Sequence, residues 1–422
     1  MLDKMADFPQ SYPAFFVDEE NTAKENSMVA QKHLSPVMIL ASIIFMSTFV
    51  PLSIDLYLPA LPQMREYFQA SEMLVNMTLI AFFLFFSVGI VLFGPISDKY
   101  GRKFSLLGGA LVYTLASLIC ATSGSVYVLI GGRILQALGA GCIVTISTAL
   151  IKDCFSGEKL TRILSITQAL NVIAPMAAPI IGSLLLLYTS WRGAFVLLAF
   201  LGSINIIIAL LLTEPLLPEK RYTGTVVQSM GSLVKFTRHA YFMLILIMFS
   251  LLAAPYMAYV SVSSFVYMNT FHLSPQLYGL YFSFNSACAV VGPFLYLHIA
   301  GRVSNRRITN ACFLVTAISG VALLTIGQSS ALCFMLSFLP FTIIESIVRP
   351  FTMDVLLKMV RTEIGTASAL INFVPTLLGS VGMFVSTLPW SSFIDGLGII
   401  ILGALCGSTL ILICIREMYS EN

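Results

Sequence analysis

Four charged side chains sit where charge is expensive. Asp55, Arg133, Glu345 and Arg349 each fall within a long run of apolar residues. A charge at the centre of a membrane helix costs about 2.5–3.5 kcal/mol on insertion scales, so it needs a partner or a wet cavity. Their chemistry is therefore that of binding and moving ions or protons. Asp55 lies in Ser53-Ile-Asp-Leu-Tyr-Leu-Pro-Ala-Leu-Pro62, and Arg133 in Gly131-Gly-Arg-Ile-Leu-Gln-Ala-Leu-Gly-Ala-Gly141. The two enter the membrane to similar depth. A carboxylate pulled towards neutrality by burial and towards charge by an arginine can take up and release a proton within a cycle. The alternatives are a solvated acid at a helix mouth and an arginine that snorkels to the headgroups. Glu345 and Arg349 are four residues apart with the acid first, the favourable order for a pair on one helix face. They form either a self-neutralised pair or a substrate or proton site. Tyr57 and Tyr256, with Tyr259 and Phe265, are candidate aromatic lining for an apolar cavity; packing and lipid contact are the other uses of such residues.

The elements that must position these groups follow from composition. The chain has 422 residues, 58% hydrophobic and only 10% charged, with mean hydropathy +0.91. Soluble domains carry about 25% charged residues. Apolar stretches long enough to span a bilayer recur near 36–59, 73–96, 104–122, 126–150, 163–187, 194–212, 240–262, 277–298, 308–327, 331–353, 364–388 and 396–415. The expected fold is an all-α membrane protein of twelve transmembrane helices in two pseudo-symmetric six-helix bundles. Residues 1–35 read as a polar cytoplasmic tail, 36–212 as the first bundle, 213–239 as a cytoplasmic linker, 240–415 as the second bundle and 416–422 as a cytoplasmic end. Of the 23 Lys and Arg, an arrangement with both termini inside leaves only Arg65 and Arg192 outside and Arg133 and Arg349 within helices. Such a bias sets orientation. The net charge of +3 points to no nucleic-acid partner. The eight cysteines form no C-x-x-C pair and the four histidines are scattered, so neither a metal site nor a membrane enzyme is indicated.

The loop Gly94-Pro-Ile-Ser-Asp-Lys-Tyr-Gly-Arg-Lys103 joins the second and third runs. Gly94 suits a close helix approach and Gly101 a tight turn. Asp98 is an anion able to face a helix N-terminus. Arg102 and Lys103 are placed to hold Asp98 or lipid phosphate. The loop resembles the G-x-x-x-D-x-x-G-R-K signature of the major facilitator superfamily. That resemblance implies a latch between Asp98 and the eleventh helix, which starts near Thr362. The second half carries a worn copy, with Asn305-Arg306-Arg307 in place of Gly101-Arg102-Lys103 and Arg302 in place of Asp98. A non-transporting receptor would have no need of these charges.

The fifth run places Pro175, Pro179 and Gly182 amid alanines, which bends the helix and smooths one face. It resembles the antiporter motif of exporters, with Ala-Pro where Gly-Pro is usual. Asp55–Pro62, Lys152-Asp153, Trp191-Arg192, Thr213-Glu-Pro-Leu-Leu-Pro218 and Gly365-Thr-Ala-Ser-Ala-Leu370 together resemble the Bcr/CflA drug-resistance transporters, from about residue 36 to 415. Glu345, Arg349 and Asn372–Pro375 depart from that pattern, so mechanism carries over better than cargo.

The resemblance implies drug/proton antiport across a bacterial inner membrane, by a monomer that exchanges a small-molecule cargo for protons. A dedicated exporter of a metabolite or siderophore is the alternative on the same fold. No cofactor is expected, the proton gradient being the energy source. If Asp98 works the cycle, Asp98→Asn should impair transport of any cargo while the protein still inserts normally. Cargo flux and membrane yield, measured side by side, check this.

Overall fold

The computed structural model describes residues 31–155, 157–223, 237, 239–360 and 364–420. The tail up to residue 30, most of the linker with Lys235 and Arg238, and Thr362 lie outside the described residues. Helices are the only regular structure among the described residues. We number the twelve long helices in chain order: α1 Pro36–Phe68, α2 Glu72–Tyr100, α3 Arg102–Thr122, α4 Val126–Cys154, α5 Gly157–Tyr188, α6 Arg192–Leu211, α7 Ala240–Thr270, α8 Pro275–Ile299, α9 Asn305–Thr325, α10 Ala331–Lys358, α11 Ile364–Ser386 and α12 Phe393–Ser420. Eleven contain stretches long and apolar enough to cross a membrane; in α5 the described apolar part is Ile173–Tyr188.

The helices start where capping residues stop the chain from continuing. Ser71, Ser125, Ser274 and Ser330 accept hydrogen bonds from the first-turn N–H groups of α2, α4, α8 and α10. These four caps lie at the same end of the molecule as Trp191, and they align the two halves as repeats. The opposite end carries Gly101, the basic loops and the linker, and is called the basic end below.

Two elements depart from unbroken runs. The first helix does not stop near residue 59. It breaks after Asp55, turns through a short 3-10 stretch at Leu58–Ala60 and continues as Leu61–Phe68. Pro59 and Pro62 each sit in the first turn of a new segment, where a missing N–H costs nothing. α7 is interrupted after Ser250 and ends in a π-helical turn, Val266–Thr270.

Packing within the first half depends on glycine. α4 crosses α2 at Gly141 against Gly89, and crosses α3 at Gly139 against Gly109 and Tyr113. A Cβ on either α4 glycine would fall within 3.0 Å of backbone or ring-bearing atoms. In the second half α7 pairs with α11 and α9 with α12. The halves meet along α5–α8 and α2–α11, a swap-related pair of seams. At the Trp191 end, the Leu58–Phe68 extension of α1 also packs on α7 and α8.

Gly182 of α5 seats the break in α1: a Cβ there would overlap the carbonyl oxygen of Leu56. Gly182→Val should therefore force α1 away from α5. Overpacking of this kind costs about 1–3 kcal/mol, readable as a lowered melting temperature of the detergent-solubilised protein.

Candidate functional site

Arg133 occupies the centre of the first half, with no exposed surface. Its guanidinium donates to the backbone oxygens of Ser53 on α1 (3.1 Å) and Thr78 on α2 (3.3 Å), and to Oε1 of Gln136 on its own helix. Three rings face it: Phe82 at 4.0 Å, Tyr57 at 4.6 Å and Phe195 at 5.8 Å. A desolvated cation–π contact is worth about 2 kcal/mol, which offsets part of the cost of burying the charge. Gln136 passes the hydrogen-bond chain to Ser117 on α3. The expected proximity of Arg133 to Asp55 is not an ion pair. Among the described residues no carboxylate lies within salt-bridge distance of Arg133, because Ser53, not Asp55, is the α1 residue turned towards it. Tyr57 goes with Arg133: its hydroxyl meets Thr78 at 3.2 Å inside the first half.

Asp55 faces the other way, towards the second half. It is 6% exposed and has neither a hydrogen bond nor an ion pair among the described residues. Tyr256 on α7 lies within electrostatic range of Asp55, Glu345 and Arg349 together. Tyr278 on α8 also senses Asp55. On α10, Arg349 Nε donates to Glu345 Oε1 at 2.7 Å; the glutamate side chain is 6% exposed and the arginine 59%. Arg349 shares its surroundings with Glu345 and Tyr256. The structure thus sorts the six cavity candidates into two groups. Asp55, Tyr256, Glu345 and Arg349 gather between the halves, whereas Arg133 and Tyr57 form a packed hub behind them.

The Gly94–Lys103 loop holds a separate charge network. Arg102 pairs with Asp98 and, at 2.9 Å, with Asp153 at the end of α4, and also donates to Ser97. Gly101 adopts φ +100°, a conformation side chains resist. Glu214, just past α6, closes over it: its two carboxylate oxygens accept from the N–H groups of Arg102 (2.9 Å) and Lys103 (3.0 Å), capping α3 from a distant part of the chain. Lys103 Nζ reaches the carbonyl of Leu210. The partners of Asp98 described here lie within the first half and the linker, where Tyr222 N–H donates to the Asp98 carbonyl. Around Gly94 the space is ordinary, with Thr145 the nearest group at 3.9 Å.

Pro175, Pro179 and Gly182 lie on α5, where the halves touch. The seam at the Trp191 end is made by α8 residues that sequence reasoning missed. Gln276 donates to the Ser183 carbonyl (3.1 Å), Ser283 to the Met176 carbonyl (2.6 Å), and Gly279 sits against Pro179 and Ser183 without room for a side chain. Their spacing of three and four residues, all small or polar on an apolar helix, was the available signal. The molecule is therefore closed at the Trp191 end.

Glu214 offers a direct test of this loop architecture. Glu214→Ala should uncap α3 and cost about 0.5–2 kcal/mol, measured as a drop in melting temperature. A double change with Arg102→Ala should be non-additive, since both residues hold the same turn.

Comparison with known proteins agrees with this architecture. The Major Facilitator Superfamily description matches residues 43–383. An uncharacterised MFS-type transporter, YdgK of Bacillus subtilis (strain 168), is 31% identical over 78% of this chain and 84% of its own. A chloramphenicol resistance protein of Pseudomonas aeruginosa is 35% identical, but over only 40% of this chain and 38% of its own length. Among solved structures, a bacterial homologue of the human lysosomal transporter Spinster superposes with a TM-score of 0.69 at 14% identity, covering 88% of this chain and 94% of that one. That likeness concerns the fold alone. A helical membrane chain with these two seams, this loop and this extent of match belongs to the Major Facilitator Superfamily.

Proposed function

We propose that the chain is a proton-coupled exporter of amphipathic, drug-like compounds that works by alternating access. In this reading the basic end faces the cytoplasm of a bacterial inner membrane, both termini are inside, and one chain is the working unit. The observation that carries it is Asp55, a carboxyl group at the meeting of the two halves with no ion partner among the described residues. Glu345 already has Arg349. A buried carboxyl without a counter-charge is stable when neutral and unstable when ionised. Proton loss therefore favours either hydration, by opening, or a cationic cargo in place of the proton. Exchange of proton for cargo at one group is antiport. The membrane potential contributes about 2.3 kcal/mol per charge per 100 mV, and a pH gradient about 1.4 kcal/mol per unit. The chloramphenicol resistance protein among the relatives supports a drug cargo for the shared segment.

A second reading, a dedicated exporter of a polar metabolite or siderophore, draws on Arg349. A half-exposed guanidinium beside the cavity suits an anionic or polar cargo better than a lipophilic cation.

Expression in an efflux-deficient bacterium, with a drug panel and a screen of secreted metabolites, separates the two readings. Export of several unrelated panel drugs supports the first; one metabolite accumulating outside with no drug expelled supports the second. In vesicles, Asp55→Asn should abolish cargo-driven proton release and concentrative export while cargo exchange persists. Undiminished gradient-driven export by Asp55→Asn would overturn the role given to this carboxyl.

A further inference from the structure

Residues 31–35 read from sequence as the end of a polar tail, yet they are tied down. The Gln31 carboxamide meets both backbone groups of Thr213, 182 residues away. Its Nε2 donates to the Thr213 carbonyl at 2.8 Å, and its Oε1 accepts from the Thr213 N–H at 2.8 Å. This is the two-way exchange of an antiparallel strand pair, made here by a side chain. The Lys32 N–H adds a bond to Thr213 Oγ1 at 3.1 Å. Leu34 is buried and Ser35 caps α1. Only residues 32–35 therefore separate this clamp from the helix that carries Asp55.

Glu214 is the next residue, and it forms no ion pair among the described residues. Three backbone N–H groups hold its carboxylate: those of Arg102, Lys103 and, at 3.1 Å, Leu216. The chain then folds over the same turn. Tyr222 N–H donates to the Asp98 carbonyl at 3.0 Å, and the Arg221 guanidinium lies against Gly101. Water also satisfies first-turn amides at an exposed helix end, so these bonds alone hold Glu214 loosely. The residue before it is held better, because Gln31 takes up both of its backbone groups. Among uncharged side chains of this length, only a carboxamide both donates and accepts in that way. A second glutamine acts at the other end of α6, where Gln63 Oε1 accepts from the Trp191 N–H at 3.0 Å. The α1 segment is thus tied to both ends of α6, a helix that packs mainly on α3.

We propose that Gln31 is a positioning residue for the Gly94–Lys103 loop. By fixing Thr213 it holds Glu214 on the Gly101 turn. That turn in turn keeps the Arg102 guanidinium between Asp98 and Asp153. The start of the Asp55 helix is thereby linked to the loop through Thr213 and Glu214. The role requires neither a drug cargo nor a proton.

The test is amide hydrogen exchange on the full chain in detergent micelles, with no cargo and no gradient. Gln31→Met keeps the length of the side chain and removes the carboxamide. It should speed exchange of the Arg102 and Lys103 amides several-fold, although Gln31 bonds to neither. Gln31→Glu keeps an acceptor but turns a second oxygen towards the Thr213 carbonyl, and should do the same. Glu214→Ala should expose those two amides at least as much and leave the Thr213 amide protected, since the order runs outward from Gln31. Gln31→Met combined with Glu214→Ala should match Glu214→Ala alone at Arg102 and Lys103. The α4 amides around Gly139 report an intact fold. A residue that merely anchors the tail would expose Thr213 on substitution and leave Arg102 and Lys103 as they were. That result overturns the proposal, and so does an additive double variant. Exchange is read without transport, so failure here leaves the exporter reading standing, and failure of drug export leaves the role of Gln31 standing.

Discussion

A guanidinium with no exposed surface governs the plan of the first half. Arg133 takes backbone oxygens from α1 and α2, a side-chain oxygen from its own α4, and ring faces from α1, α2 and α6. Nε and Nη1 have oxygen acceptors while Nη2 has none and relies on the ring faces, so the charge is tolerated only while these helices keep their register around it. That constraint passes along α1. With Ser53 turned to Arg133, and Leu56 pressed on Gly182 of α5, Asp55, one of the two residues between them, is left facing the second half. The direction Asp55 faces is thus a consequence of where Arg133 is held.

The second half repeats the scaffold without the charge. Counted from the matching serine caps of α4 and α10, the counterpart of Arg133 is Phe338. Phe338 stacks on Tyr259, as Arg133 lies on Tyr57. At the basic end, Arg102 joins α2 to Asp153 of α4, while in the second half the Tyr296 hydroxyl joins α8 to Asp354 of α10 at 2.9 Å. Lys358 completes that cluster at 2.7 Å. One half is cross-linked by buried charge, the other by aromatic packing and hydroxyls. Ring stacks are weaker in direction than a guanidinium with fixed acceptors.

The pattern of apolar runs, the Lys and Arg bias and the Gly94–Lys103 spacing together determined a twelve-helix membrane transporter. These are local or periodic properties: a bilayer demands about 20 apolar residues per crossing whatever the helix touches. The charged candidates were legible for the same reason, since Asp55, Arg133, Glu345 and Arg349 stand out against lipid-soluble neighbours. Their partnerships were not. Asp55 and Arg133 share a depth, but depth says nothing about azimuth, and on this helix it is Ser53, two residues earlier, that meets Arg133. Glu214 as the cap of α3, and Gln276, Gly279 and Ser283 as the seam on α5, join residues far apart in the chain. No periodicity encodes such a meeting.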